Sequence, residues 1–434
     1  MAEEGLKRAL PSRFVLAVTV GGIIGLGILR GTGEIAEVVP DPTLYLALWF
    51  LGGLFILLSL SVSAELLGMT PRSGGFYSLV RRAYGPYPGF VIGWLDWLTF
   101  AADLAIKSVV IIEFVAILVP EAAAWQTPLA ILVTTVFAAI QLRGIALGAL
   151  IQEVATSIIG LVIIGFSLLL FFVPSITSNA EVIPTKTGFG DWSLVIATII
   201  FTYDGWLYAS YFNGEIKGGA GAAARSSIKA LIIVIALYML LNVALVKSVG
   251  LAALAGNDLA LAHALELAVS PTAGSIVVVA AILILLAHQN LGYMGGARIL
   301  HALAEDGFAL QRAQKIGKGG NPVFAMLVTW LLSVGLIMLG GFEFLLLLAV
   351  FLFVPLYLAL IIGVLILRKR EPDTERPYLA WGHPFSTIVC LIGWTIITLY
   401  QGYAERETAL YAVGMVAVSW PVYRYLSRKQ TAVG

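Results

Sequence analysis

The stretch GGIIGLG (residues 21–27) places four glycines inside a long apolar run that covers residues 14–38. A glycine in the middle of a helix costs about 1 kcal/mol relative to alanine. Lipid cannot satisfy free backbone N–H and C=O groups, so an interrupted membrane helix persists only where protein or a water-filled cavity receives them. The stretch therefore predicts a membrane helix that is broken beside a cavity.

A second stretch of this kind, FTYDGW (residues 201–206), lies inside the apolar run 194–211. It places the carboxyl group of Asp204 at the depth of the bilayer, which costs at least ~2.5 kcal/mol and makes a functional role the default interpretation. Two interrupted helices, one near the start of the chain and one near its middle, are typical of a transporter binding site.

The composition excludes an ordinary soluble domain, because 60% of the residues are hydrophobic, 12% are charged and the mean hydropathy is +0.96. Each span of a bilayer needs roughly 20 apolar residues. The chain is predicted to be an all-α polytopic membrane protein with twelve transmembrane helices, at about 14–38, 43–69, 88–119, 126–142, 149–173, 192–213, 228–250, 273–303, 323–340, 343–367, 385–403 and 408–426.

The distribution of basic residues predicts the orientation, since short loops rich in Lys and Arg stay in the cytoplasm. Among the 26 Lys and Arg residues, only Lys186 and Arg406 fall in predicted outer loops, and Arg30, Lys107 and Lys247 fall in or at the ends of spans. All the others lie in predicted inner segments. We therefore expect a multi-pass protein of the cytoplasmic (inner) membrane with both termini in the cytoplasm.

The sequence also limits the partners. Cys390 is the single cysteine and lies in an apolar span, so no disulfide-linked subunit is expected. The basic residues are scattered over membrane-adjacent loops, which gives no support for nucleic-acid binding. The four histidines form no metal-binding motif, and no cofactor is predicted. The expected partners are the lipid bilayer and a small-molecule substrate, with the chain as a monomer or a homodimer.

Each break predicts part of a binding site for a zwitterion. After the first break, an outer half-helix that begins near Gly27 would direct N–H groups at a carboxylate, and the carbonyls of Ile23 and Ile24 would face an ammonium group. The alternative is close helix packing of the small-xxx-small type by the glycines. At the second break, Asp204 either attracts a cation or caps the next half-helix, and its aromatic neighbours form a lid or simply pack.

Four stretches in register resemble the amino acid–polyamine–organocation superfamily of transporters. They are GIIGLGI (22–28), SAELLGMTPRSGGFY (63–77), residues 203–215 with their Asp-Gly-Trp start, and ARILHALAEDG (297–307) followed by Asn321 and Pro322. The resemblance implies the LeuT-type fold, in which two inverted five-helix repeats carry discontinuous helices 1 and 6. The implied divisions are a cytoplasmic segment 1–13, repeats 14–173 and 174–370, and two C-terminal helices in 371–434.

The resemblance also implies alternating access and a set of site residues. The predicted substrate-binding residues are Ile23, Ile24, Gly25, Leu26, Gly27, Ile28, Phe201, Tyr203, Asp204 and Gly205. The predicted gating residues are Phe201, Trp206, Glu65 and Arg298. Candidates for coupling, with protons as a possible partner, are Asp96, Lys107, Glu153, His288 and Asn290.

Several of these polar residues have a simpler explanation. Asp103 and Lys107 are four residues apart on one helix and would neutralise each other, and His288 fits a hydrogen-bonded core histidine. Glu65 fits a structural ion pair with an arginine of an inner loop. Relatives that couple transport to an ion place a lysine at the position of Ile159 or hydroxyls on the eighth span, and neither device is visible here. Exchange or coupling through another group is therefore expected.

The leading hypothesis is a secondary transporter of an amino acid, with neutral substrates favoured because neither break contains a second acid. A polyamine or inorganic-cation carrier on the same fold is the alternative within transport. An enzyme is not expected, since the sequence has neither a His-Glu-x-x-His motif nor a nucleophile elbow. A non-transporting membrane sensor is the alternative from another class.

Overall fold

The computed structural model describes residues 10–176, 188–339 and 342–431, and α-helices dominate there. The predictions for residues 1–9, 177–187 (with Lys186), 340–341 and 432–434 lie outside the described residues. The α-helices are α1 (Ser12–Ile23), α2 (Leu26–Val38), α3 (Pro42–Met69), α4 (Gly75–Tyr84), α5 (Pro86–Leu118), α6 (Gln126–Gln141), α7 (Ile145–Phe172), α8 (Phe189–Thr202), α9 (Ala220–Ser248), α10 (Leu251–Leu254), α11 (Ala260–Ala268), α12 (Pro271–Glu305), α13 (Val323–Leu339), α14 (Phe342–Arg370), α15 (Phe385–Ala404) and α16 (Arg406–Thr431).

Two of the long helices, α3 and α12, start with ordinary side-chain capping. At α3 the Asp41 carboxylate accepts the Leu44 N–H at 2.6 Å, and Pro42 fills the first turn, where no N–H is needed. At α12 the Ser270 hydroxyl accepts the Ala273 N–H at 3.2 Å, and a proline again follows the cap. The local sequence therefore accounts for the start of each of these two helices.

Eight helical segments in the described part of the chain are long and apolar enough to cross a membrane. They are α1 with α2, α3, α6 with the 3-10 turn Pro120–Trp125 before it, α7, α9, α12, α14 and α15. Two shorter apolar helices correspond to α8 and α13. Each predicted span overlaps a helix, while the count of twelve spans, the inverted repeats and their boundaries stay predictions.

The packing places α5 and α12 at the centre of the molecule. These two helices lie against each other, and α5 also contacts α13 and α14. Helix α1 packs against α7 and α9, and α2 packs against α8. The two halves of the first apolar run therefore have different neighbours, which is how the chain can separate them at a break.

Candidate functional site

The first predicted break is present and is shorter than the glycine-rich stretch that indicated it. Helix α1 ends at Ile23 and α2 begins at Leu26, so only Ile24 and Gly25 leave the helix. Gly21 and Gly22 continue α1 and serve close packing instead. A Cβ on Gly21 would lie 2.1 Å from the Thr156 hydroxyl oxygen. The glycines therefore serve both functions considered from the sequence: Gly25 lies in the break, while Gly21 and Gly22 allow close helix packing.

The backbone carbonyls at this break are already hydrogen-bonded within the protein. The Tyr238 hydroxyl lies 3.0 Å from the Ile23 carbonyl oxygen and 3.1 Å from that of Thr202. His288 Nε2 lies 2.9 Å from the Ile24 carbonyl oxygen. The sequence led us to expect that the carbonyls of Ile23 and Ile24 face an ammonium group. The structure differs, because Tyr238 and His288, which are distant in sequence, are already hydrogen-bonded to them.

The second break is also present and directly touches the first. Helix α8 ends at Thr202, and a 3-10 segment begins at Tyr208 after five residues of turn. Gly205 in that turn has a φ of +95°, which favours glycine. A Cβ there would lie 2.5 Å from the Gly22 carbonyl oxygen. Glycine thus allows the backbones of the two breaks to approach each other.

A central cavity of about 40 Å³ lies beside the second break, enough for about three water molecules. Its wall combines carboxyl groups with aromatic rings. The carboxyl groups belong to Asp96, Asp103 and Asp204, and the rings to Phe76, Phe100, Phe201, Tyr208, Tyr211, Phe353 and Tyr357. The prediction that Asp204 and Phe201 lie at one site agrees with this arrangement, and an amino acid requires the cavity to widen.

Each of the three carboxyl groups has a partner in the protein. Asp96 accepts the Tyr211 hydroxyl at 2.8 Å and the Phe76 N–H at 3.2 Å. Asp204 accepts a hydrogen bond from the Tyr357 hydroxyl of α14. Asp103 accepts the ammonium of Lys107 at 2.6 Å. The cavity wall therefore holds three acids that are oriented by donors, with one lysine beside them.

A smaller cavity of about 20 Å³ lies on the other side of Phe201, which lines both. Leu26 and Gly27, in the first turn of α2, line this second cavity together with Arg30 and Glu34. The free N–H groups of that turn are therefore separated from the three acids by one aromatic side chain. Ile28 is buried behind the same turn.

Two aromatic residues of the second break lie outside both cavities. The Tyr203 hydroxyl donates to the Trp49 carbonyl at 2.9 Å, and its ring packs against Trp49 and Tyr238. Trp206 is fully buried against Tyr357, with ring centroids 4.8 Å apart. The structure therefore places Tyr203 in the helix packing rather than in a cavity wall, and Trp206 behind a lining residue.

The other two predicted gating residues lie in buried ion pairs. Arg298 Nε lies 2.6 Å from Glu215 Oε1, and both side chains are almost fully buried. Glu215 ends the 3-10 segment after the second break, so this pair attaches that segment to α12. Glu65 pairs with Arg368 and, at 3.1 Å, with Arg376, which agrees with the predicted ion pair between Glu65 and an arginine; the side of the membrane on which it lies stays a prediction.

Further ion pairs occur at both ends of the site. At one end, Arg30 of α2 lies 2.9 Å from Asp258 and 3.6 Å from Glu113. At the other, Arg72 pairs with Asp306, which follows α12. Burial raises the pKa of the Asp306 carboxyl, but hydrogen bonds from Arg72 and Tyr77 outweigh burial and hold that pKa below its usual value.

The coupling candidates do not form one group. Lys107 contacts His288, with Nζ 2.8 Å from Nδ1, and Asp96 lines the central cavity. Asn290 instead donates to the Gly148 carbonyl at 3.0 Å and contacts Gln141, while Glu153 pairs with the exposed Arg13. The contact between Asp103 and Lys107 confirms the predicted pair.

Sequence reasoning missed several residues of the cavity wall. The spacing of Asp96 and Asp103, seven residues apart on α5, could have indicated that they share a helix face. Tyr208 and Tyr211 are three residues apart in the 3-10 segment, and this spacing could likewise have indicated a shared face. Tyr357 carried no such signal, because it comes from α14 and is more than 150 positions from its partner Asp204.

A structure dominated by apolar helices, in which two interrupted helices touch beside two small cavities, has the architecture of a membrane carrier. A family model described as amino acid permease matches residues 14–420. The chain therefore belongs to the amino acid permease family, whose members are transporters rather than enzymes.

Two relatives match most of the chain, and a third matches less than half of it. The chain is 25% identical to the serine/threonine exchanger SteT of Bacillus subtilis, over 90% of each protein. It is 25% identical to the gamma-aminobutyric acid permease of the same organism, over 98% of this chain and 95% of that one. The polyamine transporter PUT1 of Oryza sativa is 29% identical over 41% of this chain and 33% of its own length.

Proposed function

We propose that this protein is a secondary transporter that moves an amino acid across the cytoplasmic membrane by alternating access, as an exchanger or a proton-coupled carrier. The observation that carries the proposal is the pair of cavities divided by Phe201 where the two breaks touch. On one side lie the N–H groups of the first turn of α2, and on the other lie three carboxyl groups. A zwitterion needs one group of each kind.

In this proposal the substrate carboxylate binds the N–H groups of Leu26, Gly27 and Ile28. The ammonium group binds near Asp204 in the central cavity. Phe201 must turn aside so that one molecule reaches both sides, which gives it the function of a gate. The twelve-span arrangement with both termini in the cytoplasm is part of the same proposal, and the chain acts as a monomer or a homodimer.

Alternating access requires that the two ends of the site open in turn. The Arg30 ion pairs close one end, and the pairs of Arg298 and Arg72 close the other. Breaking one group of pairs while the other persists would expose the site to one side of the membrane at a time. The fully buried Arg298–Glu215 pair makes the inner end the more costly of the two to open.

A polyamine is the second candidate substrate, and one observation favours it. The structure adds Asp96 and Asp103 of α5 to Asp204, whereas the argument for a neutral substrate counted only the acids inside the breaks. Three carboxyl groups and several aromatic rings suit a cationic amine, and one relative is named a polyamine transporter.

Counterflow into proteoliposomes tests the proposal. Purified protein would be reconstituted in liposomes loaded with unlabelled L-serine, L-threonine, 4-aminobutyrate or putrescine, and uptake of the same labelled compound would be followed. Counterflow with one of the three amino acids is expected. Counterflow with putrescine alone would replace the amino acid by a polyamine, and none with any of the common amino acids or amines would contradict transport.

A further inference from the structure

A buried hydrogen-bonded chain links the central cavity to the backbone of the first break. Lys107 Nζ lies 2.6 Å from Asp103 Oδ2 and 2.8 Å from His288 Nδ1. His288 Nε2 lies 2.9 Å from the Ile24 carbonyl oxygen. Asp103 lines the cavity, while Lys107 and His288 are buried behind it. This series of hydrogen bonds therefore has one end at the central cavity and the other at the first break.

The hydrogen bonds limit where protons can lie among Asp103, Lys107 and His288. The Ile24 carbonyl can only accept, so Nε2 of His288 bears a hydrogen. Nδ1 then either accepts from Nζ of Lys107 or donates to a lysine amine. When the pair carries one excess proton, that proton lies on the lysine or on the imidazole, opposite the carboxylate of Asp103. The proton can move from the ammonium to Nδ1 and leave an amine, with no other bond changed.

We infer that Lys107 and His288 together hold the proton that this transporter exchanges with water as it moves substrate, with Asp103 as its counter-charge and its route to the cavity. The inference rests on the proposed function and names the coupling groups of that same site. Of the five coupling candidates named from the sequence, it selects Lys107 and His288, because these two are in contact and are joined to Asp103.

The position of the imidazole explains how a proton could affect the break. A Cβ on Gly25 would lie 2.6 Å from Cε1 of His288, so the ring lies in close contact with the unwound residues. Any movement of α1 relative to α12 at this level must change the bond from His288 to Ile24. The charge on the Lys107–His288 pair therefore acts on the element that has to move in alternating access.

Other titratable groups share the cavity with Asp103 and compete for the same charge. They are Asp96 from α5, Asp204, Tyr208 and Tyr211 from the second break and its 3-10 segment, and Tyr357 from α14. The Asp204 carboxyl interacts electrostatically with both Asp103 and Lys107. A substrate ammonium placed among these acids changes the field at Lys107, which links substrate binding to the proton.

Two variants separate titration from structure. Lys107→Arg keeps a cation that can bond to Asp103 and His288, but arginine does not release its proton in proteins. His288→Gln keeps one donor and one acceptor on a side chain that does not titrate. Matched controls are Lys247→Arg at the end of α9 and His383→Gln in the turn before α15. Thermal unfolding in detergent establishes that each variant is folded.

The experiment follows substrate and protons in the same proteoliposomes, with whichever of L-serine, L-threonine, 4-aminobutyrate and putrescine gives the strongest counterflow. A pH-sensitive dye trapped inside reports proton movement. For one proton per substrate, a gradient of one pH unit in the effective direction should drive about tenfold accumulation by the wild type. Both variants should keep counterflow within about threefold of the wild type and accumulate nothing, since binding and exchange need no net proton movement.

Three results would overturn the inference. Wild-type counterflow without proton movement would leave the transporter proposal intact but show that transport is not coupled to a proton. Proton-driven accumulation that survives in Lys107→Arg would assign the proton to another group, and accumulation that survives in His288→Gln would remove the histidine from the proposed pair. Wild-type protein that shows no counterflow with any common amino acid or amine would instead remove the proposed function, and this inference with it.

Discussion

The two breaks lie in contact, yet they offer different chemistry. At the first break, the carbonyls of Ile23 and Ile24 are bonded to Tyr238 and His288. At the second, Asp204 faces a cavity with aromatic walls. The first is therefore held by the surrounding helices and responds to them, while the second presents a charged group to a substrate. A glycine-rich break and an acid-bearing break serve different purposes even where they meet.

The largest expected effect comes from filling the space at the first break. In Gly25→Val the new Cβ would lie within 2.6 Å of the His288 ring, so the break cannot keep its conformation. We expect counterflow to fall to background. Gly160→Val is the matched control, because a Cβ at Gly160 on α7 meets nothing within 4 Å. Normal counterflow in Gly25→Val would show that the close approach is dispensable.

The anchor of the second break is expected to dominate stability. Arg298→Met leaves Glu215 buried without its partner, which should cost about 3–5 kcal/mol in the free energy of unfolding. Chemical denaturation in detergent micelles measures this cost. The double variant with Glu215→Gln should recover part of it, because no buried charge is then left alone. A cost below about 1 kcal/mol for the single variant would contradict this reading of the pair.

The charge of the second break can be removed with little change in shape. Asp204→Asn should lower counterflow by about tenfold, equivalent to ~1.4 kcal/mol, because the substrate ammonium loses the negative charge that it is proposed to bind. Asp41→Asn is the control, since asparagine also caps a helix well and Asp41 lies at the start of α3. Equal counterflow in Asp204→Asn and wild type would argue that Asp204 only shapes the turn.

The smallest effect tests the connection between the breaks. Tyr238→Phe removes the hydroxyl that lies between the Ile23 and Thr202 carbonyls, at a cost of about 1 kcal/mol. Tyr203→Phe removes one comparable buried hydrogen bond, to Trp49. We expect similar losses of thermal stability, with a lower counterflow rate only for Tyr238→Phe. Equal rates in the two variants would indicate that the Tyr238 bridge has no part in transport.

Local patterns in the sequence were sufficient to predict the helices and the two breaks. Apolar runs require helices in lipid, clustered glycines and an aspartate at bilayer depth require an interruption, and a spacing of four residues brings Asp103 to Lys107. Each of these rules acts within about one or two turns of a helix. The ion pair of Glu65 with an arginine could also be predicted from the charge of the neighbouring loop.

Only the tertiary structure decided which groups are free and which acids share a cavity. The partner of the Ile24 carbonyl is 264 positions away in the sequence, and that of the Ile23 carbonyl is 215 away. Asp96 and Asp103 join Asp204 because α5 packs against the 3-10 segment that follows the second break. The sequence alone determines where the membrane helices must break, because that depends on each residue's own backbone and charge; what the broken ends bind depends on which distant helices pack against them.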